Sequence, residues 1–433
     1  MNRLLAFASP LARLFLILIA PMFVVAAGDA QRSPDSQSEL GSGVRPPDQP
    51  VVVAIDNGAR LRVVPIATGL SHPWGMAFLP DGRSILVTER PGRLRMIRDG
   101  VLDPKPIAGV PTVHYLRDAF AGLQDVALHP DFAKNQYVYL SYSKAGARGA
   151  TLALARGRFH DGELTDVREI FVAEAWSGTG PSPATGGGTY GGRMLFAPDG
   201  TLYLTVGDRD TRVIGNDPEI RLRAQNLGDH AGKILRLRDD GSAPANNPFV
   251  GRAGAKPEIY TYGHRNAYGL AFQPETGDLW ECEFGPLGGD EINVILPGRN
   301  YGWPLVSAGR NYTGMPVSEQ PWWQPGIEMP VFAWNPVFNP TSVLFYTGDR
   351  FPDWKGSLIV SGTTRQLQRM SVNGRRILGS PRSMLGQIGQ RFREVRQGPD
   401  GFLYALTEML GPSMEDVQGT VLRIEPVAPA TDK

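Results

Sequence analysis

The hydrophobic pattern of the chain is a repeated one. A short apolar strand runs into a turn built on Pro-Asp-Gly or a variant of it, and a second apolar strand follows. The unit occurs six times, at intervals of roughly 45 to 80 residues, without long helical periodicity between the copies, and repeats of this kind are typical of β-propellers. The turn residues that mark the six copies are Pro80, Pro130, Pro198, Pro274, Asp353 and Pro399.

The strands within these copies predict an all-β fold, a six-bladed β-propeller. In the first copy, GMAFL, SILVTE and RLRMI are three successive strands separated by PDG and RPG turns. An early apolar segment, residues 60–66, can pair with the strand TVLRIEP near the C-terminus. This pairing would close the ring and leave no unpaired edge between the last blade and the first.

Composition excludes several functional classes. The formal net charge is +1 and Lys and Arg form no block, so the chain lacks the electrostatic footprint of a nucleic-acid-binding protein. The single cysteine, Cys282, cannot form an intramolecular disulfide. A hydrophobic fraction of 42% is enough for a large core. We therefore expect a folded protein without a nucleic-acid partner.

The N-terminus has the pattern of a secretory signal peptide. Arg3 and Arg13 precede an apolar run that ends in the small residues VVAAG, and this run is too short for a stable membrane anchor. The mature protein would therefore be periplasmic or secreted. The expected divisions are a signal peptide at 1–27, a flexible linker at 28–51, the propeller at 52–428 and a tail at 429–433.

Three polar stretches next to predicted strands carry the candidate chemistry. Each also has a structural interpretation, in which arginines brace neighbouring blades and carboxylates cap turns. Carbonyl oxygens of a Gly-Pro turn beside carboxylates are also what a Ca²⁺ site needs, and two arginines on one face of a strand suit a multiply anionic ligand. The residues are Arg265 and Asn266, then Gly285, Pro286, Asp290 and Glu291, and finally Arg391 and Arg393.

A set of motifs spans the chain in order: GLQDVALHPDF, GGRMLFAPDG, AGKILRLRDDGS, GHRNAYGLAF, GGDEIN, NYGWP, FYTGD and RFREVRQGPDG. Together they resemble the soluble quinoprotein sugar dehydrogenases, the family of aldose and glucose/sorbosone dehydrogenases, over about residues 62–426. The resemblance implies a propeller that binds pyrroloquinoline quinone (PQQ) and Ca²⁺ on its axis. It also implies oxidation of the anomeric carbon of an aldose to a lactone, with an external electron acceptor.

The resemblance also implies roles for individual residues. Gly285 and Pro286 would give backbone ligands to the calcium ion that holds the quinone. Arg265 would polarise the quinone carbonyl as a catalytic group. The other implied roles are cofactor contact for Asn266, binding of the cofactor carboxylates by Arg391 and Arg393, a second, structural calcium at Glu291 and Tyr301, and orientation of the catalytic base by Asp208.

The chain departs from the family at the position of the catalytic base. The family has a histidine two residues before the first Gly of GGR, and here Thr189 stands in that place. The base takes a proton from the sugar hydroxyl, and a threonine hydroxyl has no lone pair basic enough for this near neutral pH. Losing a positioned base typically costs about 10²–10⁴-fold in rate.

Three functions therefore stay open at this point. The first is an exported quinoprotein dehydrogenase that acts on an aldose or a related sugar alcohol group, with an unidentified base. The second is a propeller that has lost oxidation and binds a glycan, a quinone-like ligand or a partner protein. The third is a Ca²⁺-dependent hydrolase such as a lactonase, because propellers use the axis for unrelated chemistries.

Overall fold

The six predicted blades are present as six antiparallel sheets, each packed against the next around a common axis, which confirms the all-β propeller. The predicted signal peptide, most of the predicted linker and the predicted tail lie outside the described residues. None of the helices in the described ranges is long and apolar enough to cross a membrane. The structure is a computed structural model that describes residues 45–55, 58–116, 120–178, 188–210, 218–320, 323–409 and 417–427.

The first two strands of the chain belong to the last blade. This blade, blade 6, takes β1 (Val51–Ala54) and β2 (Arg60–Ser71) from the N-terminal side. Blade 1 consists of β3 (Pro73–Phe78), β4 (Ser84–Glu89), β5 (Arg93–Arg98) and β6 (Val101–Leu102). Blade 2 consists of β7 (Leu123–Leu128), the helix α1 (Phe132–Asn135), β8 (Tyr137–Gly146), β9 (Gly149–His160) and β10 (Glu163–Val172).

The remaining blades follow in chain order. Blade 3 contains β11 (Gly191–Phe196), β12 (Leu202–Val206), the helix α2 (Pro218–Leu222), β13 (Lys233–Leu237) and β14 (Ile259–Tyr262). Blade 4 contains β15 (Ala267–Phe272), β16 (Leu279–Glu283), β17 (Asp290–Ile295) and β18 (Phe332–Trp334). Blade 5 contains β19 (Pro340–Phe345), β20 (Leu358–Gly362), β21 (Gln366–Asn373) and β22 (Arg376–Met384). Blade 6 is completed by β23 (Arg391–Gln397), β24 (Leu403–Met409) and β25 (Gln418–Pro426).

The two ends of the chain close the ring in one sheet. Strand β2 pairs antiparallel with β25, so that Val63 lies opposite Ile424, which confirms the pairing predicted for residues 60–66. A further strand, β1, pairs with β2 and begins at Val51, inside the segment predicted as linker. The ring is therefore held shut by main-chain hydrogen bonds between N-terminal and C-terminal strands.

Some of the recurring turns share a hydrogen-bond pattern. In blade 1 the carboxylate of Asp81 accepts hydrogen bonds from the backbone N–H of Arg83 and of Ser84, both at 2.9 Å. In blade 3 Asp199 accepts from the N–H of Thr201 at 2.9 Å. An aspartate side chain can in this way replace a backbone partner in a tight turn. Asp400 in blade 6 accepts in the same way from the N–H of Phe402 at 3.2 Å, so the contact recurs in blades 1, 3 and 6.

The apolar core is divided into six wedges, one between each pair of adjacent blades. A blade therefore buries both of its faces, and β4 is buried along its whole length. Among the described residues the smallest wedge lies between blades 3 and 4, where Tyr203 and Ile234 pack with Leu270 and Leu279.

One buried arginine, Arg193 on β11, connects all six blades at the axis. Its Nη1 donates to Asp125 of blade 2 at 3.1 Å and to Glu394 of blade 6 at 2.6 Å. The remaining contacts are Nε to the carbonyl oxygen of Tyr268 in blade 4 at 2.8 Å, Nη2 to that of Thr341 in blade 5 at 3.4 Å, and the guanidinium carbon 4.3 Å from the ring centre of Trp74 in blade 1.

We predict that Arg193→Met lowers the free energy of unfolding by about 3–5 kcal/mol, because it leaves Asp125 and Glu394 buried without their shared cation. Urea unfolding followed by tryptophan fluorescence measures the change. Arg62→Met is the matched control, since Arg62 pairs with Glu425 at the surface and such pairs contribute less than about 1 kcal/mol. A loss of under 1 kcal/mol in Arg193→Met would contradict the axial role.

Candidate active site

Thr189 and Asp208 meet at one end of blade 3. Strands β11 and β12 are antiparallel, with Gly191 opposite Val206, so the residue before one strand lies near the residue after the other. The Thr189 hydroxyl donates to Asp208 Oδ1 at 2.6 Å, and both side chains are buried. Trp303 donates its indole N–H to the other oxygen, Oδ2, at 2.6 Å.

The environment of Asp208 changes its acidity. Burial, followed by the negative charge of Asp210, raises the pKa of Asp208 to about 6, although Arg265 and the Thr189 hydroxyl act in the opposite direction. An Asp with a pKa near 6 is ionised at neutral pH and is also a stronger base than an ordinary carboxylate. The proton-accepting capacity that Thr189 lacks is therefore present one hydrogen bond away.

Arg209 holds this end of blade 3 in place, a role that sequence reasoning missed. Its backbone has φ of 72°, in the left-handed region that a residue with a side chain rarely adopts. Its side chain donates to the carbonyl oxygens of Thr189 at 2.6 Å and Ala175 at 2.7 Å, and lies 4.2 Å from the ring centre of Tyr190. These contacts fix the position of the Thr189 backbone.

Arg265 and Asn266 lie beside this pair, at the start of β15. The N–H of Asp208 donates to the carbonyl oxygen of Arg265 at 2.8 Å. The Arg265 Nη1 donates to the carbonyl oxygen of Gly285 at 3.0 Å, and Nη2 lies 3.7 Å from Asp210 Oδ2. Asn266 accepts from the N–H of Gly191 at 3.0 Å. The structure thus brings together Asp208, Arg265, Asn266 and Gly285, which are far apart in the sequence.

Asp290 fixes the turn that contains Gly285 and Pro286. Its Oδ1 accepts from the N–H of Gly285 at 2.8 Å, while Oδ2 accepts from the N–H groups of Phe338 and Asn339, both at 2.7 Å. This carboxylate therefore caps backbone, as the structural interpretation predicted for it. The backbone carbonyls of the Gly-Pro turn are the groups that could hold a calcium ion here.

Arg391 and Arg393 converge on one buried carboxylate, Glu408. The distances from their guanidinium nitrogens to Glu408 Oε1 are 3.2 Å and 2.5 Å. Although burial acts against ionisation, Arg393 and Arg391 lower the pKa of Glu408 to about 2, and Arg90 contributes in the same direction. Burial lowers the pKa of Arg391 to about 10. Three cations beside one carboxylate leave an excess of positive charge that suits an anionic ligand.

An aromatic cluster lies between the two polar groups. Tyr268 packs on Phe284 with ring centres 4.8 Å apart and on Trp74 with ring centres 5.7 Å apart. The Tyr268 side chain interacts with Asn266 on one side and with the charge of Arg393 on the other, and its carbonyl oxygen accepts from the axial arginine. Both polar groups therefore border the same axial region.

Glu291 and Tyr301 are predicted to hold a second calcium. The Tyr301 side chain caps backbone groups, whereas Glu291 lies within a strand. The Tyr301 hydroxyl donates to the carbonyl of Val294 at 2.7 Å and accepts from the N–H of Leu296 at 2.8 Å. It therefore caps the end of β17, and its backbone carbonyl is the group that remains for a cation. Glu291 lies opposite Glu283 on the adjoining strand. The second calcium site stays a prediction.

Comparison with known proteins places the chain among the sugar dehydrogenases. The family model described as Glucose / Sorbosone dehydrogenase matches residues 70–415. The chain belongs to this family. It is 38% identical to aldose sugar dehydrogenase YliI of Escherichia coli, over 85% of this chain and 94% of that protein. It is 27% identical to quinoprotein glucose dehydrogenase B of Acinetobacter calcoaceticus, over 81% and 86% of the two chains.

Solved structures of sugar dehydrogenases share the propeller architecture of this chain. The apo-form of the soluble aldose sugar dehydrogenase from Escherichia coli superimposes with a TM-score of 0.75 at 37% identity, covering 85% of this chain and all (100%) of that one. The PQQ-bound aldose sugar dehydrogenase from Streptomyces coelicolor gives a TM-score of 0.64 at 26% identity, covering 88% and 100%. The family resemblance of the motifs is thereby confirmed.

We predict that Thr189→Val raises the pKa of Asp208 by about one unit, because the ionised carboxylate loses a hydrogen bond from the Thr189 hydroxyl. Thr189→Ser is the control, since it keeps the hydroxyl and should leave the pKa near 6. NMR titration of ¹³C-labelled aspartate carboxyls, with the Asp208 signal assigned from Asp208→Asn, measures both. Equal pKa values in the Val and Ser variants would contradict the Thr189–Asp208 interaction.

Proposed function

We propose that the protein is a PQQ- and Ca²⁺-dependent dehydrogenase that oxidises the anomeric hydroxyl of an aldose or a related sugar alcohol group. The observation that carries this proposal is the convergence of Asp208, Arg265 and an arginine cluster on one axial region. The electrons would pass to an external acceptor. The N-terminal pattern of residues 1–27 supports export to the periplasm or the medium.

The axial residues fit an anionic, planar cofactor. In the described part of the chain, the buried polar atoms near the axis that lack a hydrogen-bond partner include Arg265 Nε, Asp210 Oδ1 and Gln124 Oε1. A ligand with carbonyl, carboxylate and N–H groups would satisfy atoms of both kinds. Arg391 and Arg393 would bind its carboxylates, and Arg265 with Asn266 would contact the quinone carbonyl.

Calcium would be held by the carbonyl oxygens of Gly285 and Pro286. The turn is tightly packed, because a Cβ added at Gly285 would collide with the backbone of Gly288 and Gly289. Hard cations such as Ca²⁺ bind carbonyl oxygens, and further ligands can come from a cofactor. The residues of this turn therefore fit the ion that the family resemblance implies.

The chain would accept the proton of the sugar hydroxyl through Thr189 and Asp208. PQQ, when bound, would supply the acceptor for the hydride from the anomeric carbon. A sugar hydroxyl that donates to Thr189 Oγ1 would let the threonine proton move to Asp208 Oδ1, 2.6 Å away. Thr189 then acts as a relay and Asp208 as the base, which replaces the missing histidine.

The dehydrogenase is better supported than the other two functions considered. The relatives described above carry dehydrogenase names, and their similarity extends over more than four-fifths of this chain. They offer no corresponding support for a glycan-binding module or a calcium-dependent lactonase.

Cofactor binding tests the first step. We expect Ca²⁺-loaded protein to bind PQQ saturably in an absorbance or calorimetric titration. Arg391→Ala should weaken this binding by about 10–100-fold, the value of one charge-assisted hydrogen bond. Arg375→Ala is the control, because Arg375 pairs with Asp278 at the surface, away from the axis. No saturable binding by the wild-type protein would end the proposal.

Activity and its pH dependence test the base. With PQQ, Ca²⁺ and an artificial electron acceptor, kcat/KM for aldoses should fall as the pH drops below about 6, because protonated Asp208 cannot accept a proton. Asp208→Asn should lower kcat by about 10²–10⁴-fold while PQQ affinity stays within a few-fold of wild type. A variant that keeps the wild-type rate and pH profile would show that another group is the base.

A further inference from the structure

Asp210 is joined through its backbone to both residues of the proposed proton relay. Its N–H donates to Asp208 Oδ1 at 2.9 Å, and its carbonyl oxygen accepts from the N–H of Thr189 at 3.2 Å. The residue is almost completely buried, with 1% of its surface exposed. Asp210 is thus held next to the two groups that would take the proton of the anomeric hydroxyl.

One oxygen of the Asp210 carboxylate is held by arginines. Arg221 Nε lies 3.1 Å and Arg221 Nη2 3.0 Å from Asp210 Oδ2, and Arg265 Nη2 lies 3.7 Å from the same oxygen. Arg221 is itself anchored, because its Nη1 donates to Asn311 Oδ1 at 2.5 Å. Charge-assisted hydrogen bonds of this kind fix the orientation of a carboxylate as well as its position.

The other oxygen, Asp210 Oδ1, is buried and has no hydrogen-bond partner in the described ranges. An ionised carboxylate can only accept hydrogen bonds, so Oδ1 needs a donor. Nearly all buried polar atoms in native proteins have a partner, and an exception indicates a partner from outside the chain. Because Asp210 adjoins the proton relay, a hydroxyl of the substrate is the donor that fits this position.

The chemistry of an aldose identifies which hydroxyl this is. In the proposed reaction the anomeric hydroxyl donates to Thr189 Oγ1, which lies 2.6 Å from Asp208 Oδ1. The anomeric carbon has two neighbours in the sugar ring, the ring oxygen and C2. The ring oxygen carries no hydrogen, so the 2-hydroxyl is the adjacent group that can donate. The acceptor next to the relay and the donor next to the anomeric hydroxyl are therefore complementary.

We propose that Asp210 determines substrate specificity by accepting, at Oδ1, a hydrogen bond from the 2-hydroxyl of the aldose. This inference rests on the proposed function, because it takes the anomeric hydroxyl to lie at Thr189. The substrate is then an aldose with a free hydroxyl next to the oxidised carbon. A site built to bond a hydroxyl rejects an analogue that lacks it, since the buried polar group stays unpaired. A 2-deoxy sugar leaves Oδ1 in that state.

Sugar binding without turnover tests this inference. Protein with Ca²⁺ and prereduced PQQ is titrated with glucose and, separately, with 2-deoxyglucose, and binding is followed by calorimetry. We expect the wild-type protein to bind glucose about 10–100-fold more tightly, the range for one hydrogen bond to a charged group. The comparison needs only the wild-type protein, so no folding defect can affect it. Equal affinities, or no binding of either sugar, would overturn the inference.

Asp210→Asn separates the contact with the sugar from the effect of Asp210 on the base. The side-chain carbonyl of Asn can still accept from Arg221, so its amide group replaces Oδ1 and places a donor where an acceptor stood. We expect the preference for glucose over 2-deoxyglucose, in Kd and in kcat/KM, to fall by at least about 10-fold. The lost charge also changes Asp208, but this affects both sugars alike and cancels in the ratio. An unchanged ratio would contradict the contact.

Asp229→Asn is the matched control, because Asp229 also pairs with an arginine but has partners on both oxygens. Arg223 Nε lies 2.7 Å from Asp229 Oδ2, while Arg223 Nη2 and the N–H of Ala231 lie 3.2 Å and 2.7 Å from Oδ1. This variant should keep the wild-type preference for glucose. If it loses the preference as Asp210→Asn does, the effect does not come from Asp210 Oδ1 and the inference falls.

The two arms of the experiment separate this inference from the proposed function. A wild-type protein that binds glucose more tightly than 2-deoxyglucose but oxidises neither would support the contact with the 2-hydroxyl and contradict the dehydrogenase. A wild-type protein that oxidises both sugars with equal kcat/KM would support the dehydrogenase and overturn the role of Asp210.

Discussion

The contacts of Arg193 are the constraint on which the rest of the propeller depends. Six wedges of apolar side chains define only how each blade packs on its neighbours. The guanidinium group instead contacts the innermost strand of every blade, through carboxylates on blades 2 and 6 and backbone carbonyls on blades 4 and 5. A rigid group with five donors suits this task, and lysine could not make these contacts together.

The axial arginine also sets the floor of the candidate active site. Its Nε holds the carbonyl of Tyr268, and the Tyr268 ring supports Phe284 immediately before the Gly285–Pro286 turn. The polar groups at the ends of blades 3, 4 and 6 border this aromatic cluster. Side chains separated by some two hundred residues can therefore serve one ligand, because the blades that carry them share one anchored axis.

Much of the fold and part of the site could be predicted from the sequence. What could be predicted depends on local interactions, and what could not depends on contacts between residues distant in the sequence. The Asp turns, such as that at Asp81, are local, so their repetition reveals the blades. The match of Arg391 with Arg393 is also local, since two residues apart on a strand share a face. Glu408 meets these arginines from the neighbouring strand of the same blade, where it lies opposite Arg391. Asp210 and Trp303 instead act across blades or loops, and no spacing in the sequence indicates which partner such a residue meets.

The loss of the histidine is best understood with its neighbours. A histidine at position 189 would be the base, and Asp208 beside it would need to stay ionised to support the imidazolium. With Thr189 there, no cation forms next to Asp208, while burial and Asp210 raise its pKa to about 6. We therefore propose that the carboxylate supplies the basicity that a histidine at this position would supply. Arg209 binds the backbone carbonyl of Thr189 and Trp303 binds Asp208 Oδ2, and these hydrogen bonds hold both partners of the proposed proton transfer in place.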